Sequence, residues 1–194
     1  MTVPAREIEL KFLLDRQAIP ALLDALPPDE SRVKAMVAIY YDTADGWLRR
    51  QGFGLRVRRT GETRIQTLKS APGADGGRDE WEWPVASDLA DPALLADTPA
   101  ALPDGLILEP KFTVTVSRTV RIVESHGARI EIAVDDGVVE AGGRREAVLE
   151  LELELLSGAP DALNRLAADL GVQIPLTPSQ VTKAERGYRL LGGI

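Results

Sequence analysis

The sequence predicts an α+β chain built on an antiparallel sheet of about eight strands, and three observations predict it. Most segments alternate apolar and charged residues with a period of two, as strands do, because successive side chains point to opposite faces. Short turns rather than helices separate these segments, so hairpins dominate and no βαβ rhythm is present. Charge is also sorted by face, with whole strand faces acidic or basic and few of the Ser, Thr, Asn and Gln residues that usually dilute a solvent face. Such strands either stack as a sandwich with leucines inside or close into a barrel with a modest interior.

The first element is REIELKFLL, residues 6 to 14, where Glu7, Glu9 and Lys11 oppose Ile8, Leu10 and Phe12. Asp15 is placed to cap a short helix through Leu26, with Pro20 limiting its start and PPDE at 27–30 ending it. A strand follows from about Val33 to Asp42, closed by the turn chemistry of Asp42, Thr43, Asp45 and Gly46. GLRVRRT and TRIQTLKS, around GET, read as a hairpin, and the Gly-rich APGADGG leads into RDEWEW. In that strand Arg78, Glu80 and Glu82 share one face while Trp81 and Trp83 share the other. The Asp-, Pro- and Ala-rich stretch from Leu89 to Leu102 suggests a short helix and a surface loop. Strands near Lys111 to Glu124 and Ala128 to Asp135 bracket the His126 turn, and GGRREAVLELELELL supplies another. Ala159 to Leu170 has helical periodicity, and residues 181–190 suggest a last helix.

Composition excludes several kinds of chemistry. Cysteine is absent, so neither disulfides nor thiolate metal sites are available. With His126 the single histidine, in a polar turn, a metal would have to be held by oxygen ligands, which favours Mg²⁺, Mn²⁺ or Ca²⁺. The net charge of -7 argues against nucleic acid as a partner. No apolar run approaches the roughly 18 residues of a membrane span, and no signal-peptide layout opens the chain, so a cytoplasmic protein with no membrane partner is expected.

The charged faces carry the functional reading. In LELELELL, Glu150, Glu152 and Glu154 form an unbroken acidic row opposite Leu149, Leu151, Leu153 and Leu155. Arg56 and Arg58 oppose Leu55 and Val57, and Glu131 and Asp135 oppose Ile130, Ile132 and Val134. If these faces point inward, unpaired charge there is prohibitively costly, so the lumen must be wet and filled by counter-ions or ligand. Lys11, Arg56, Arg58, Lys69 and Arg78, with Arg118, Arg121 and Lys183 as further candidates, suit phosphate oxygens. Carboxylates would repel a polyphosphate unless divalent metals stood between them, so a polyphosphate with Mg²⁺ is the economical ligand.

The N-terminal run contains ExExK as Glu7, Glu9 and Lys11. It is followed in order by YYDT (40–43), LRVRR (55–59), QTLK (66–69), RDEWEW (78–83), FTVTVSR (112–118), EIAVD (131–135), ELELE (150–154) and TKAERGY (182–188). Over nearly its whole length the chain thus resembles the CYTH domain of the triphosphate tunnel metalloenzymes, and most of all the bacterial inorganic triphosphatases. The resemblance implies an eight-stranded antiparallel closed β-barrel, a tunnel with a charged lumen and flanking helices. It implies one domain over residues 1–194, either complete or the N-terminal part of a longer chain carrying a helical CHAD domain. Oligomeric state is not implied.

The implied activity is metal-dependent hydrolysis of tripolyphosphate to pyrophosphate and phosphate, with Mg²⁺ or Mn²⁺ and two ions when substrate is bound. Thiamine triphosphatase, class IV adenylyl cyclase, or a non-catalytic module binding polyphosphate or nucleotides are the alternatives. By resemblance Arg56, Arg58, Lys69, Arg78, Arg118 and Lys183 hold the phosphate chain, and Lys11 neutralises charge near the scissile end. Glu150, Glu152 and Glu154, with Glu80, Glu82 or Asp135, place one metal, while Glu7 and Glu9 hold a second and orient its water. Glu131 and Arg121 are left without a defined role, Arg121 because its strand parity differs from that of Arg118. Some relatives carry a second basic residue where this chain has Val116, which makes the middle of the tunnel less cationic. Arg59, Arg64, Arg144 and Arg145 read as surface residues, Trp81, Trp83 and Phe12 as packing, and Tyr40, Tyr41 and Asp42 as shaping the rim. No aromatic-rich mouth is evident, which puts simple triphosphate ahead of thiamine or adenine esters.

Overall fold

The computed structural model describes residues 3–26, 32–74 and 76–192. The N-terminal run divides into β1 (Ala5–Glu7) and β2 (Glu9–Leu13). Asp15 accepts a hydrogen bond from the Gln17 amide and caps a 3₁₀ turn that continues into α1 (Ile19–Ala25), whose first turn contains Pro20. The PPDE stop expected for this helix lies outside the described residues. β3 (Arg32–Asp42) leads through a tight turn to α2 (Trp47–Arg50), a short helix for which the sequence showed no periodic signal. The hairpin β4 (Phe53–Thr60) and β5 (Thr63–Ser70) follows, then β6 (Arg78–Pro84) and a long segment with one 3₁₀ turn at Pro92–Leu95. β7 (Glu109–Ser125), β8 (Ala128–Ala141) and β9 (Arg144–Ser157) form a long meander, followed by α3 (Asp161–Gly171), the two-residue β10 (Thr177–Pro178) and α4 (Lys183–Leu190).

All the strands join one antiparallel sheet in the order β1-β6-β5-β4-β3-β7-β8-β9-β2-β10. The expected eight-stranded closed barrel is therefore corrected to ten strands and an open hydrogen-bonded order that curls around its charged face. Two features account for the difference. The first strand pairs with β6 over Ala5–Glu7 and with β9 over Glu9–Leu13, so each half uses one edge and the chain at Ile8 crosses from one margin of the sheet to the other. The second is β10, which adds a short edge to β2.

The apolar faces point outward and are covered. Phe12, Ile130, Ile132, Leu151 and Leu153 pack beneath Leu22 and Leu26 at α1 and beneath Leu163, Leu166 and Leu170 of α3. On the other side Leu55, Val57, Leu68 and Trp81 are covered by Leu48 of α2 and by Leu95 and Ala100 of the segment after β6. Gln66 ties that segment down, its amide donating to the Asp91 carbonyl at 3.0 Å and its carbonyl accepting from the Asp91 amide at 2.7 Å.

One end of the charged face is closed by α4. Tyr188 packs with Phe112, Val114, Val139 and Val148, and a Cβ on Gly187 would lie 2.2 Å from the Phe112 ring, so only glycine lets the helix approach this closely. Thr182 and Glu185 form a capping box that starts the helix. Asp42 anchors the same end. Fully buried, it accepts from the Thr43, Leu48 and Arg49 amides and from the Tyr188 hydroxyl, which it and burial hold well above the usual phenol range. Tyr40 faces the lumen and Tyr41 the outer core, so the YYD run is split between both faces and a buried anchor. No helix among the described residues is long and apolar enough to cross a membrane.

Candidate functional site

Strand parity places the charged faces of β1, β2, β4 to β6, β8 and β9 around one cavity of about 790 Å³. Every candidate residue from the sequence lines it except Arg121 and Glu150. Arg121 is on the outer face, where its guanidinium donates to the carbonyls of Leu23 at 2.6 Å and Leu26 at 3.3 Å, so it tethers the end of α1 rather than a ligand. Glu150 is fully buried behind the lumen wall.

The register explains the local electrostatics. Glu9, Glu154 and Glu131 are directly opposite one another across β2, β9 and β8, which sets three like charges side by side. Neither Glu131 nor Glu154 has an ion-pair partner among the described residues, while Glu9 has Arg78 at 3.3 Å. Burial, with Glu7 and Glu131 nearby, pushes the Glu154 carboxyl up to about 7. Glu7, at the end of this row, is fixed through Oε1 by Lys69 at 2.5 Å, and its buried Oε2 has no hydrogen-bond partner.

Two residues along β9 the balance reverses. Asp135, Glu150 and Glu152 each bring an oxygen within 4.8 Å of the others, a spacing suited to a metal. That space is already held by cations: the Lys183 ammonium bonds Asp135 at 2.7 Å, Glu152 at 2.9 Å and also Glu150. Lys11 reaches Glu152 at 2.8 Å, and Arg118 grips Asp135 through two bonds of 2.7 Å while also reaching Glu152. Burial alone would raise the Glu152 carboxyl, but Lys183, Arg118 and Lys11 outweigh it and hold it well below the usual range. Burial likewise works against the Lys183 ammonium, and Glu152, Asp135 and Glu150 outweigh it to raise that group.

The β4 wall is short of negative charge. Arg56 has no carboxylate partner among the described residues, and its buried Nε makes no hydrogen bond. The Arg56 charge, followed by burial, lowers the Arg58 guanidinium, whose one ion pair among the described residues is with Glu82 at 3.4 Å. Arg56, with no ion-paired carboxylate, beside Arg58, with one long contact to Glu82, is arranged to receive an anion.

Other expectations resolve simply. Arg59 and Arg64 pair with Asp88, Arg144 donates to the Leu190 carbonyl and Arg145 pairs with Glu140, all at the periphery. His126, at φ 51° in the β7–β8 turn, contacts Asp169 of α3 at 2.7 Å, remote from the lumen wall. No aromatic-rich mouth was expected, and three aromatic residues, Tyr40, Phe53 and Tyr188, are among those lining the lumen. Tyr40 is stacked on Phe112 and Tyr188 lies under Arg49, so packing already occupies both rings.

Sequence reasoning missed two features. Lys34, Met36 and Ala38 line the cavity, but the run AMVAIYY has no alternation from which a face could be read. Val116 adds to this apolar strip. Arg186 sits three residues after Lys183 on the same face of α4, a spacing that could have flagged it.

The residues present fit a divalent cation at the Glu9, Glu154 and Glu131 row, because the hard carboxylate oxygens of Glu154 and Glu131 have no ion-paired cation among the described residues and Glu7 Oε2, 3.7 Å from Arg78, makes no hydrogen bond. They fit less well at Asp135, Glu150 and Glu152, where Lys183 stands in that role.

Comparison with known proteins agrees with this architecture. A relative from Haemophilus influenzae, described as an inorganic triphosphatase, is 30% identical over 193 residues, covering 95% of this chain and 55% of its own length. The chain thus spans about half of that relative. Among solved structures, a Pyrococcus horikoshii OT3 protein superposes with a TM-score of 0.65 at 18% identity, covering 95% of this chain and 99% of that one. HpAC1 from Hippeastrum, described as a candidate adenylyl cyclase with a dominant triphosphatase activity, gives a TM-score of 0.63 at 18% identity, covering 97% and 96%. The family described as the CYTH domain matches residues 5–188, and with that span of sequence and this curled, charge-lined sheet the chain belongs to the CYTH domain family.

Proposed function

We propose that this chain is a metal-dependent phosphoanhydride hydrolase whose substrate is inorganic tripolyphosphate, cleaved to pyrophosphate and phosphate. The observation that carries the reading is one cavity in which, among the described residues, Arg56 has no ion-paired carboxylate while Glu154 and Glu131 have no ion-paired cation. A bare polyanion satisfies the first, and a divalent cation satisfies the second. The inorganic triphosphatase relative supports the same class.

Arg56 and Arg58 bind phosphate oxygens through forked N–H groups, and Lys11, Lys183 and Arg118 continue the cationic track toward β9. Glu9, Glu154 and Glu131, with Glu7, are the residues that would hold Mg²⁺ or Mn²⁺. When bound, such an ion supplies charge neutralisation of phosphate oxygens and a more acidic water. Glu7 is suited to orient that water, because Lys69 fixes one of its oxygens while Oε2, 3.7 Å from Arg78, makes no hydrogen bond and can accept one. With Tyr40 and Tyr188 engaged in packing, Phe53 is the one remaining lumen ring among the described residues, too little for sandwiching a base or thiazole, which favours the inorganic substrate over thiamine triphosphate or ATP.

Phosphate release from tripolyphosphate, thiamine triphosphate, ATP and pyrophosphate, each with Mg²⁺, Mn²⁺ or Ca²⁺, tests the proposal. Tripolyphosphate turnover dependent on metal, and faster than that of the organic esters, is the expected result. Binding of triphosphates without release under any metal would overturn the enzyme reading, and faster turnover of an organic ester would overturn the substrate.

A further inference from the structure

We propose that Glu150 and Arg186 form a positioning relay, in which Arg186 orients Glu150 and Glu150 presents the ammonium groups of Lys183 and Lys11 to the lumen. The relay rests on the triphosphatase reading for its ligand, but not for its geometry. Glu150 is the one member of the acidic row on β9 that is fully buried and does not line the cavity. Its Oε1 accepts from Lys183 and lies 3.3 Å from the Lys11 ammonium, while its Oε2 faces Arg186 Nη2 at 3.4 Å. Both oxygens are thus held from opposite sides, which fixes the carboxylate plane.

Arg186 is itself held. Its Nη1 donates to Glu146 at 3.0 Å, and Glu146 is gripped at its outer side by Arg189 through two bonds of 2.8 Å. Charges alternate in sign from the surface inward: Arg189, Glu146, Arg186, Glu150, Lys183. The alternation has a functional consequence. Without Arg186, Glu150 would be an undiluted buried charge and would draw Lys183 and Lys11 away from the cavity. With Arg186 opposite, its pull is partly offset, and the two ammonium groups stay shared with Glu152, within reach of a phosphate chain. Glu150 therefore serves the cations rather than a metal, unlike Glu154.

A double-mutant cycle tests the relay. R186A is expected to raise KM for tripolyphosphate about tenfold, the scale of a 1.4 kcal/mol coupling, with kcat little changed. R186K is expected to recover most of that loss. In a K183A background R186A should add clearly less, leaving only the part of its effect that passes through Lys11. A ligand-free readout separates failure of the relay from failure of the function: the side-chain ammonium resonance of Lys183 should shift in R186A and stay in place in R165A, whose arginine pairs with Asp161 on α3. If no triphosphate binds or turns over, that resonance decides the relay alone. Where R186A does not fold, E146Q is expected to produce a smaller shift and a smaller KM rise in the same direction. An equal R186A penalty with and without Lys183, or an unmoved Lys183 resonance, would overturn the relay.

Discussion

Glu152 and Glu154 are two residues apart on β9 and face the same cavity, yet their surroundings drive their carboxyls in opposite directions. Glu152 is beside Lys11 in the register and beneath Lys183 and Arg118, so its charge is stabilised. Glu154 has Glu9 on one side and Glu131 on the other, so its charge is penalised. The difference teaches that an acidic strand face is not one kind of site. One stretch of the row completes itself with the chain's own cations, and in the next Glu154 has none among the described residues.

The largest effect should come from the arginines that face both clusters. At an effective dielectric near 20, a cation about 4 Å from a phosphate charge contributes on the order of 4 kcal/mol, so R56A should lower kcat/KM for tripolyphosphate by two to three orders of magnitude. Steady-state assays at saturating metal measure this, and a loss under fivefold would move the anion site elsewhere.

The comparison is broken most directly by isosteric substitution. E154Q should raise the metal concentration for half-maximal activity by at least about tenfold, as loss of a ligand oxygen does. E150Q should leave that concentration nearly unchanged and act on KM instead. Metal titrations of both variants check it, and equal shifts in the two would erase the distinction.

A pH dependence should follow in metal-free protein. The folded value of about 7 for Glu154 exceeds the ordinary glutamate value of 4.5, so the folded state binds the proton more tightly than the unfolded chain does. The burial penalty is absent below the unfolded value and grows as pH rises through 7, a loss on the order of 2–3 kcal/mol. Asp135 and Glu152 are lowered, so their contributions fade only at more acidic pH. Thermal melts in chelator should therefore fall from pH 5 to pH 8, E154Q should flatten the trend, and Mg²⁺ should restore stability at pH 8.

The smallest effect is expected one residue along from the saturated cluster. Asp135 points into the lumen, whereas Asp136 points out and pairs with Arg16 in an exposed contact. Removing that pair with R16A should shift the melting temperature by no more than about 1 °C, because solvent screens it. Differential scanning fluorimetry resolves such a change.

Much of this was legible before folding. Period-two alternation in REIELKFLL, LRVRRT, RDEWEW and LELELELL located strands and divided each into two faces, since parity is a local property of the backbone. The helix cap at Asp15 and the packing part of the tryptophans were also local. What was not legible depends on partners. Strand parity already set Arg121 apart from Arg118, but what it does instead, holding the end of α1 on the outer face, depended on where that helix packs. Glu150 was indistinguishable from Glu154 within LELELELL, because what differs is the arrival of α4 from residues 183–190. The switch of edge at Ile8 leaves no trace in the alternation, since side-chain parity is the same whichever neighbour a strand bonds.

By itself, then, the sequence determined that one face of the sheet is charged, which residues share that face, and that its oxygen and nitrogen inventory suits metal and phosphate. Periodicity and side-chain chemistry do not depend on distant partners, which is why they can be read directly. Only the tertiary structure decided that the charged face is indoors, that the sheet is an open ten-stranded curl, and which carboxylates already have a cation. Those outcomes depend on register across strands far apart in the chain and on where one short helix comes to rest, and over a few ångströms they change the sign of a carboxyl's environment.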